Sequence, residues 1–337
     1  MILAAWHWHI EVSSKCTLAC PRCTRQEMPD SLLNTELDLA FFKRNFTSEL
    51  IINHVEKITF CGDDGDPIYA HEFVDIVKYI KSIKNVSIVI ITNGSYKKAD
   101  WWIELAKVLT ENDQVHFSLD GWDQTSNEIY RVNSNWESIM IGVDILAKTS
   151  DAWLVWDAIG FKFNEDKISH MTDLAKSLGF DNFQLTKSTK FGKIYPSYGE
   201  YDILQPKQEL MSSSHRFERE FTNLSGKELK EPWLKTNLTF YKNVDIIDDK
   251  IKPMCHIGNK GLYINSQGEF YPCCWVANRY QHNKDWLDLG KKFNLYDTLL
   301  YEVINNDFWK TDFTKNSLEC TMKCDKNRVT ENYATEW

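Results

Sequence analysis

The regular alternation of short apolar runs with amphipathic stretches over the first 190 residues is what most restricts the fold of this chain. Strands are predicted at residues 6–13, 57–61, 86–92, 114–119, 153–159 and 182–186. Apolar residues at helical spacing predict helices over 37–55, with Thr35 as N-cap, and over 72–83, 101–109, 136–146 and 168–178. Six such repeats imply parallel strands joined by right-handed crossovers. The near-continuous apolar strands agree, because a parallel sheet is covered on both faces. The pattern suits a partial barrel or an open doubly wound sheet. In both, functional loops follow the C-terminal ends of strands. Those loops contain residues 16–23, 62–67, Asn93 and Asp120, which are expected to meet at one rim.

The rhythm stops after residue 190. Residues 191–252 carry Pro196, Pro206, Pro232 and three consecutive serines at 212–214, and read as a linker or lid with a helix over 208–217. Residues 253–337 read as a second, smaller unit. It opens on a hairpin, with strands at 262–265 and 269–271 around Ser266-Gln267-Gly268, followed by a helix over 295–307.

Composition narrows the function classes. With 43% hydrophobic and 26% charged residues, the chain is not mainly disordered. A net charge of −9 disfavours a broad nucleic-acid surface, which needs clustered Lys and Arg. No apolar run approaches the roughly 18 residues of a membrane helix. The N-terminus lacks the basic and fully apolar regions of a signal peptide. A cytoplasmic setting without a membrane partner is therefore expected, and thiols stay reduced there. The nine cysteines then serve metal binding or chemistry rather than disulfides. Three lie within residues 16–23 and five in the last quarter, with none between Cys61 and Cys255.

Cys16-Thr-Leu-Ala-Cys20-Pro-Arg-Cys23 spaces three thiols on one tight loop. Three thiolates can ligate three irons of a cubane cluster and leave the fourth open, as a catalytic centre needs. A zinc site using two of these cysteines and a distant ligand is the alternative, although zinc sites usually show paired C-x2-C elements. The spacing after the first strand resembles the radical SAM superfamily, and the likeness extends over roughly residues 6–187. Gly62-Asp-Asp-Gly65-Asp66-Pro67 resembles the family's glycine-rich turn. Ile91-Thr92-Asn93-Gly94, and Phe117-Ser118-Leu119-Asp120-Gly121 on the fourth strand, are similar to later family segments. The resemblance implies a partial (β/α)6 TIM-like barrel binding a 4Fe-4S cluster and S-adenosylmethionine. It places Cys16, Cys20 and Cys23 on the cluster and Gly65, Asp66, Asn93, Ser118 and Arg131 around the cofactor. Arg22 stands where the family usually has an aromatic residue near the adenine, and a guanidinium plane can also stack on a base. The reaction implied is reductive cleavage of S-adenosylmethionine to methionine and a 5′-deoxyadenosyl radical, which abstracts hydrogen from a substrate.

The C-terminal cysteines resemble the SPASM domain or its shorter form, twitch. Cys255, Cys273, Cys320 and Cys324 would complete one auxiliary 4Fe-4S cluster, making two clusters in all, and the same four would also suit zinc. Cys274 adjoins Cys273. If the run is extended, the two face opposite ways, so Cys274 is either a small core residue, a spare cluster ligand or a hydrogen-atom donor to a substrate radical. Donation would make the reaction an epimerisation; otherwise the auxiliary cluster would assist an oxidation or cross-link. The implied partners are a peptide or small-molecule substrate and a reductant such as flavodoxin or ferredoxin. A non-catalytic electron carrier or zinc-stabilised module is the competing class. Cys61 reads as a core residue. His7, His9 and Glu11 share one strand face as satisfied structural groups, and Asn164-Glu165 fits either a cofactor contact or a helix-start turn.

Overall fold

A computed structural model describes residues 6–27, 29, 32–187, 202, 204–207, 210–217, 261–277 and 284–310. Its strands in chain order are β1 His7–Ile10, β2 Lys57–Phe60, β3 Ser87–Thr92, β4 Gln114–Ser118, β5 Trp153–Ile159, β6 Asn182–Thr186, β7 Ser213–Arg216, β8 Leu262–Ile264 and β9 Phe270–Tyr271. The chain divides into two compact units. The first comprises Met1–Lys15, Leu33–Ile88 and Trp233–Trp337, and the second Cys16–Leu32 and Val89–Pro232.

In the first unit β1 runs parallel to β2 on one side and to β8 on the other, with Trp8 opposite Ile58 and Leu262. β9 returns antiparallel to β8, as the hairpin pattern requires. The period-2 rule sends Trp8 and Ile10 into the core and His7 and His9 to the other face. The Trp8 ring meets Phe46 at 5.1 Å and Phe270 at 6.4 Å. The helix Phe73–Ile83 covers this side with Phe73, Ile76, Val77 and Ile80. The predicted helix over 37–55 is two helices, Leu39–Asn45 and Ser48–His54. Each has its own cap: Asp38 accepts from the Phe41 N–H at 2.7 Å, and Thr47 from the Leu50 N–H at 3.3 Å. Thr35 is not a cap, and its own N–H donates to Ser14 Oγ at 2.9 Å. The helix predicted over 295–307 shrinks to Leu300–Ile304 and a 3-10 turn at Asp307–Lys310. Asn294 takes the Tyr296 N–H at 2.9 Å, and this side-chain turn delays the helix start.

In the second unit β3, β4, β5 and β6 are parallel neighbours, crossed over by helices Ala99–Ala106, Trp136–Thr149 and Ile168–Ser177. Val115, Phe117, Leu154 and Trp156 fill the helix side, with Trp102–Phe117 and Trp156–Phe180 ring contacts at 5.6 and 5.4 Å. The helix predicted over 208–217 does not form at its C-terminal end. Ser213–Arg216 is β7, antiparallel to β6, because a polar serine run has little helix preference while the open edge of β6 offers hydrogen bonds. Neither unit closes its strands into a ring: the second ends on β7 and the first on β9. The α/β, mainly parallel class is the one the sequence implied. Among the described residues no helix is long and apolar enough to cross a membrane.

Candidate functional site

The second unit gathers the three-cysteine loop. Cys20 lies in a buried cluster with Leu18, Tyr130, Phe161 and Leu204, and Cys16, Cys23, Ile159 and Phe163 pack against it, partly buried. Short-range bonds hold the loop: the Cys23 N–H donates to the Cys20 carbonyl at 3.0 Å, and the Ala19 N–H to the Val132 carbonyl at 3.0 Å. Cys20 is buried, and burial pushes its thiol up to about 11. Arg131 pulls the other way through its charge and a hydrogen bond to that sulfur. Burial by itself would lower the Arg131 pKa, but Asp120 and Cys20 outweigh it and keep the guanidinium charged. Asn93 donates from Nδ2 to Cys16 Sγ at 3.6 Å. Two of the six expected cofactor residues thus touch the cysteines directly.

A buried thiol this hard to ionise is a poor nucleophile, whereas a metal-bound thiol is deprotonated outright. Cys20 in this buried cluster, with Cys16 and Cys23 packed partly buried against it and a cation beside Cys20, fits an iron–sulfur cluster. Among the described residues no three His, Cys, Asp or Glu side chains converge closely enough to hold a single ion. A cluster that takes one thiolate per iron does not require that convergence.

Behind Arg131 lies a polar scaffold in which the sequence marked Asp120 and Asn164 but not Asn127. Asp120 is fully buried, binding Arg131 Nε at 2.6 Å through Oδ2 and the Ile159 N–H at 2.7 Å through Oδ1. Asn164 Nδ2 reaches the Asp120 and Ile159 carbonyls, each at 2.8 Å, while its Oδ1 accepts from the Phe161 N–H at 2.8 Å. Asn164 is therefore a turn-holder. Asn127 Oδ1 takes the Asp120 and Gly121 N–H groups at 3.0 and 3.2 Å. An added Cβ on Gly121 would stand 2.1 Å from the Asn127 nitrogen, so glycine is obligatory there. Arg22, expected near an adenine, is 1% exposed and paired with Asp202 at 2.5 Å. Ser118 sits opposite Asp157 on the sheet face away from the helices. Asp157 in turn holds His116 Nδ1 at 2.7 Å.

The glycine-rich turn belongs to the first unit. The Asp66 N–H donates to the Lys15 carbonyl at 3.0 Å, and its Oδ1 accepts from the Ile68 N–H at 3.2 Å, capping the 3-10 turn Pro67–Tyr69. A Cβ on Gly65 would stand 1.9 Å from the Ser13 carbonyl oxygen, so close backbone packing within the unit already demands glycine. His7 and His9 are structural, with Nε2 atoms 3.2 Å from Thr59 Oγ1 and 2.9 Å from the Cys61 carbonyl.

Cys255, Cys320 and Cys324 lie outside the described residues. Cys273 and Cys274 are half-buried and in no disulfide. Their run is not extended: β9 ends at Tyr271 and Cys274 opens the short helix Cys274–Ala277. Cys273 and Cys274 are therefore not strand neighbours on opposite faces. Burial raises the Cys61 thiol, and Asp63 and Cys274 add to the effect, so Cys61 and Cys274 lie within electrostatic reach of each other.

Residues 10–175 match the Radical SAM superfamily. A curated relative from Pyrococcus furiosus, the tungsten-containing aldehyde ferredoxin oxidoreductase cofactor-modifying protein, is 29% identical over 117 residues. That stretch is 33% of this chain and 30% of the relative, so the match spans under a third of the relative's length. Among solved structures, SuiB of Streptococcus suis bound to S-adenosylmethionine superposes with a TM-score of 0.54 at 16% identity, covering 90% of this chain and 68% of that one. anSMEcpe with bound AdoMet gives 0.54 at 15% identity, covering 90% and 78%. At these identities the likeness establishes the fold.

Proposed function

We propose that this chain, a member of the radical SAM superfamily through residues 10–175, is an enzyme that removes a hydrogen atom from a peptide substrate. When bound, a 4Fe-4S cluster and S-adenosylmethionine supply the carbon radical that takes that hydrogen. Cys16, Cys20 and Cys23 would hold the cluster. Arg131 stabilises the Cys20 thiolate, and Leu18, Tyr130, Phe161 and Leu204 keep water from the sulfurs. Asn93 steadies Cys16. Gly65 and Asp66 shape the turn that would receive the cofactor's amino group, with Ser118, Arg131 and Arg22 as the remaining cofactor residues. The observation that carries the reading is the packing of three thiols, Cys20 buried and Cys16 and Cys23 partly buried against it, beside a charged Arg131.

A peptide substrate is favoured because SuiB is known bound to its precursor peptide SuiA and anSMEcpe bound to a Cp18Cys peptide. The Pyrococcus furiosus relative, described as cofactor-modifying, supports a small-molecule reading instead. Residues 253–337 would form an auxiliary unit in which Cys255, Cys273, Cys320 and Cys324 hold a second 4Fe-4S cluster and the reaction is an oxidation. With Cys274 as hydrogen-atom donor the reaction would be an epimerisation. A cytoplasmic flavodoxin or ferredoxin would supply the electron. Anaerobic reconstitution tests the metal inventory: about eight irons per chain are expected, falling to about four when Cys16, Cys20 and Cys23 are all replaced by Ala. Unchanged iron in that variant, or zinc in the wild type, overturns the assignment.

A further inference from the structure

Glu11 follows β1 directly and is 2% exposed, yet its carboxylate faces the glycine-rich turn. Oε1 accepts the N–H groups of Asp64 at 2.7 Å and Gly65 at 2.9 Å. Oε2 accepts the hydroxyl of Tyr263, on β8, at 3.0 Å. The turn is cut to fit this side chain: a Cβ on Gly62 would stand 2.7 Å from Glu11 Oε1. Gly62 therefore makes room for the carboxylate, and Gly65 makes room for the chain at Ser13 and Ser14.

The consequence lies in the peptide planes. All peptides in the turn are trans, and a trans peptide sets each carbonyl antiparallel to the following N–H. With the Asp64 and Gly65 N–H groups turned to Glu11, the carbonyls of Asp63 and Asp64 point away from it. Two adjacent carbonyl acceptors with two aspartates on the same turn suit a primary ammonium group. We infer that Glu11 is the positioning residue that fixes the 62–66 turn to receive the ammonium of S-adenosylmethionine, an inference that rests on the function proposed above. Tyr263 holds the carboxylate in that rotamer, which ties the β8–β9 hairpin to the cofactor turn.

The geometry does not need a charged carboxylate. Burial, with Asp64 and Asp63 close by, pushes the Glu11 acid up to about 8. A protonated carboxyl still keeps a bare oxygen towards the two N–H groups. An amide does the same, so Glu11→Gln mimics that state, whereas Glu11→Ala removes the acceptor and Glu11→Asp withdraws it by one methylene.

Two measurements test this. In the metal-free protein, hydrogen exchange of the Asp64 and Gly65 amides should accelerate roughly tenfold or more in Glu11→Ala and Glu11→Asp, with β1 and β2 unchanged, and stay slow in Glu11→Gln. In the reconstituted protein, equilibrium dialysis with labelled S-adenosylmethionine should show roughly tenfold or more weaker binding in the first two variants and near-native binding in Glu11→Gln. If Glu11→Ala does not fold, Glu11→Asp decides. Unchanged exchange or unchanged affinity in the folded variants, beside a wild type that binds, overturns the inference alone. A wild type that takes up no S-adenosylmethionine overturns the functional reading, and the inference with it.

Discussion

Replacing Arg22 by Met removes one half of a buried ion pair whose partner lies 180 positions away in sequence. Arg22 is 1% and Asp202 5% exposed, so neither charge is relaxed by bulk water. Leaving a buried charge unpaired costs about 3–5 kcal/mol. Asp202 Oδ1 also accepts the Leu204 N–H at 2.9 Å, and this remaining donor places the expected loss near the lower end, about 3 kcal/mol. Replacing both residues, Arg22→Met with Asp202→Leu, removes the stranded charge and leaves mainly the unpaired Leu204 amide, at about 1 kcal/mol. The double replacement is thus expected to cost about 2 kcal/mol less than Arg22→Met alone, and much less than the sum of the two single replacements, since Asp202→Leu in turn strands Arg22. Denaturant unfolding of the metal-free protein across the double-mutant cycle measures this. A loss under about 1 kcal/mol in Arg22→Met, or additive effects, would refute the claim that the pair clamps the cysteine loop to the segment carrying Leu204.

Three further outcomes follow from the geometry. Arg131→Met strands the fully buried Asp120 and removes the donor to Cys20, so iron uptake on reconstitution should fall and the metal-free protein should lose about 3 kcal/mol; native iron content would contradict this. Asn164→Ala removes three hydrogen bonds in a buried turn, and calorimetry should record a loss of about 2–4 kcal/mol, a loss under 1 kcal/mol arguing that the turn holds itself. Glu11 has a raised pKa in the fold, so its contribution is fully present below its unfolded value of 4.5 and is lost as pH rises through about 8. Glu11→Gln should therefore gain stability relative to wild type, by up to a few kcal/mol, between those limits; a pH-independent difference would refute the shift.

What was legible in the sequence is what local spacing encodes. The 2-residue period of β1, the turn Ser266-Gln267-Gly268 and the C-x3-C-x2-C loop each carry their structure within a dozen residues: β1 alternates over a shorter span than 6–13, the hairpin forms, and the three cysteines pack together. The long apolar periodicity over 37–55 hid a helix break, because apolar spacing continues through Phe46 while Thr47 starts a new cap. β7 was unreadable from its own residues, since its strand state comes from the edge of β6. The fate of Arg22 depends on Asp202, and no local pattern links them. Glu11 appeared only as one of three alternating polar residues. Its partners are backbone N–H groups more than fifty positions on, which leave no mark in side-chain identity.

The central claim, that the three-cysteine loop serves radical cleavage of S-adenosylmethionine, is tested most directly by product analysis. Reconstituted protein is reduced anaerobically with dithionite and S-adenosylmethionine, and 5′-deoxyadenosine and methionine are quantified beside the variant in which Cys16, Cys20 and Cys23 are Ala. Equimolar 5′-deoxyadenosine and methionine from the wild type, and none from the variant, is the expected result. No 5′-deoxyadenosine from iron-loaded wild type, or equal amounts from both proteins, would contradict the account.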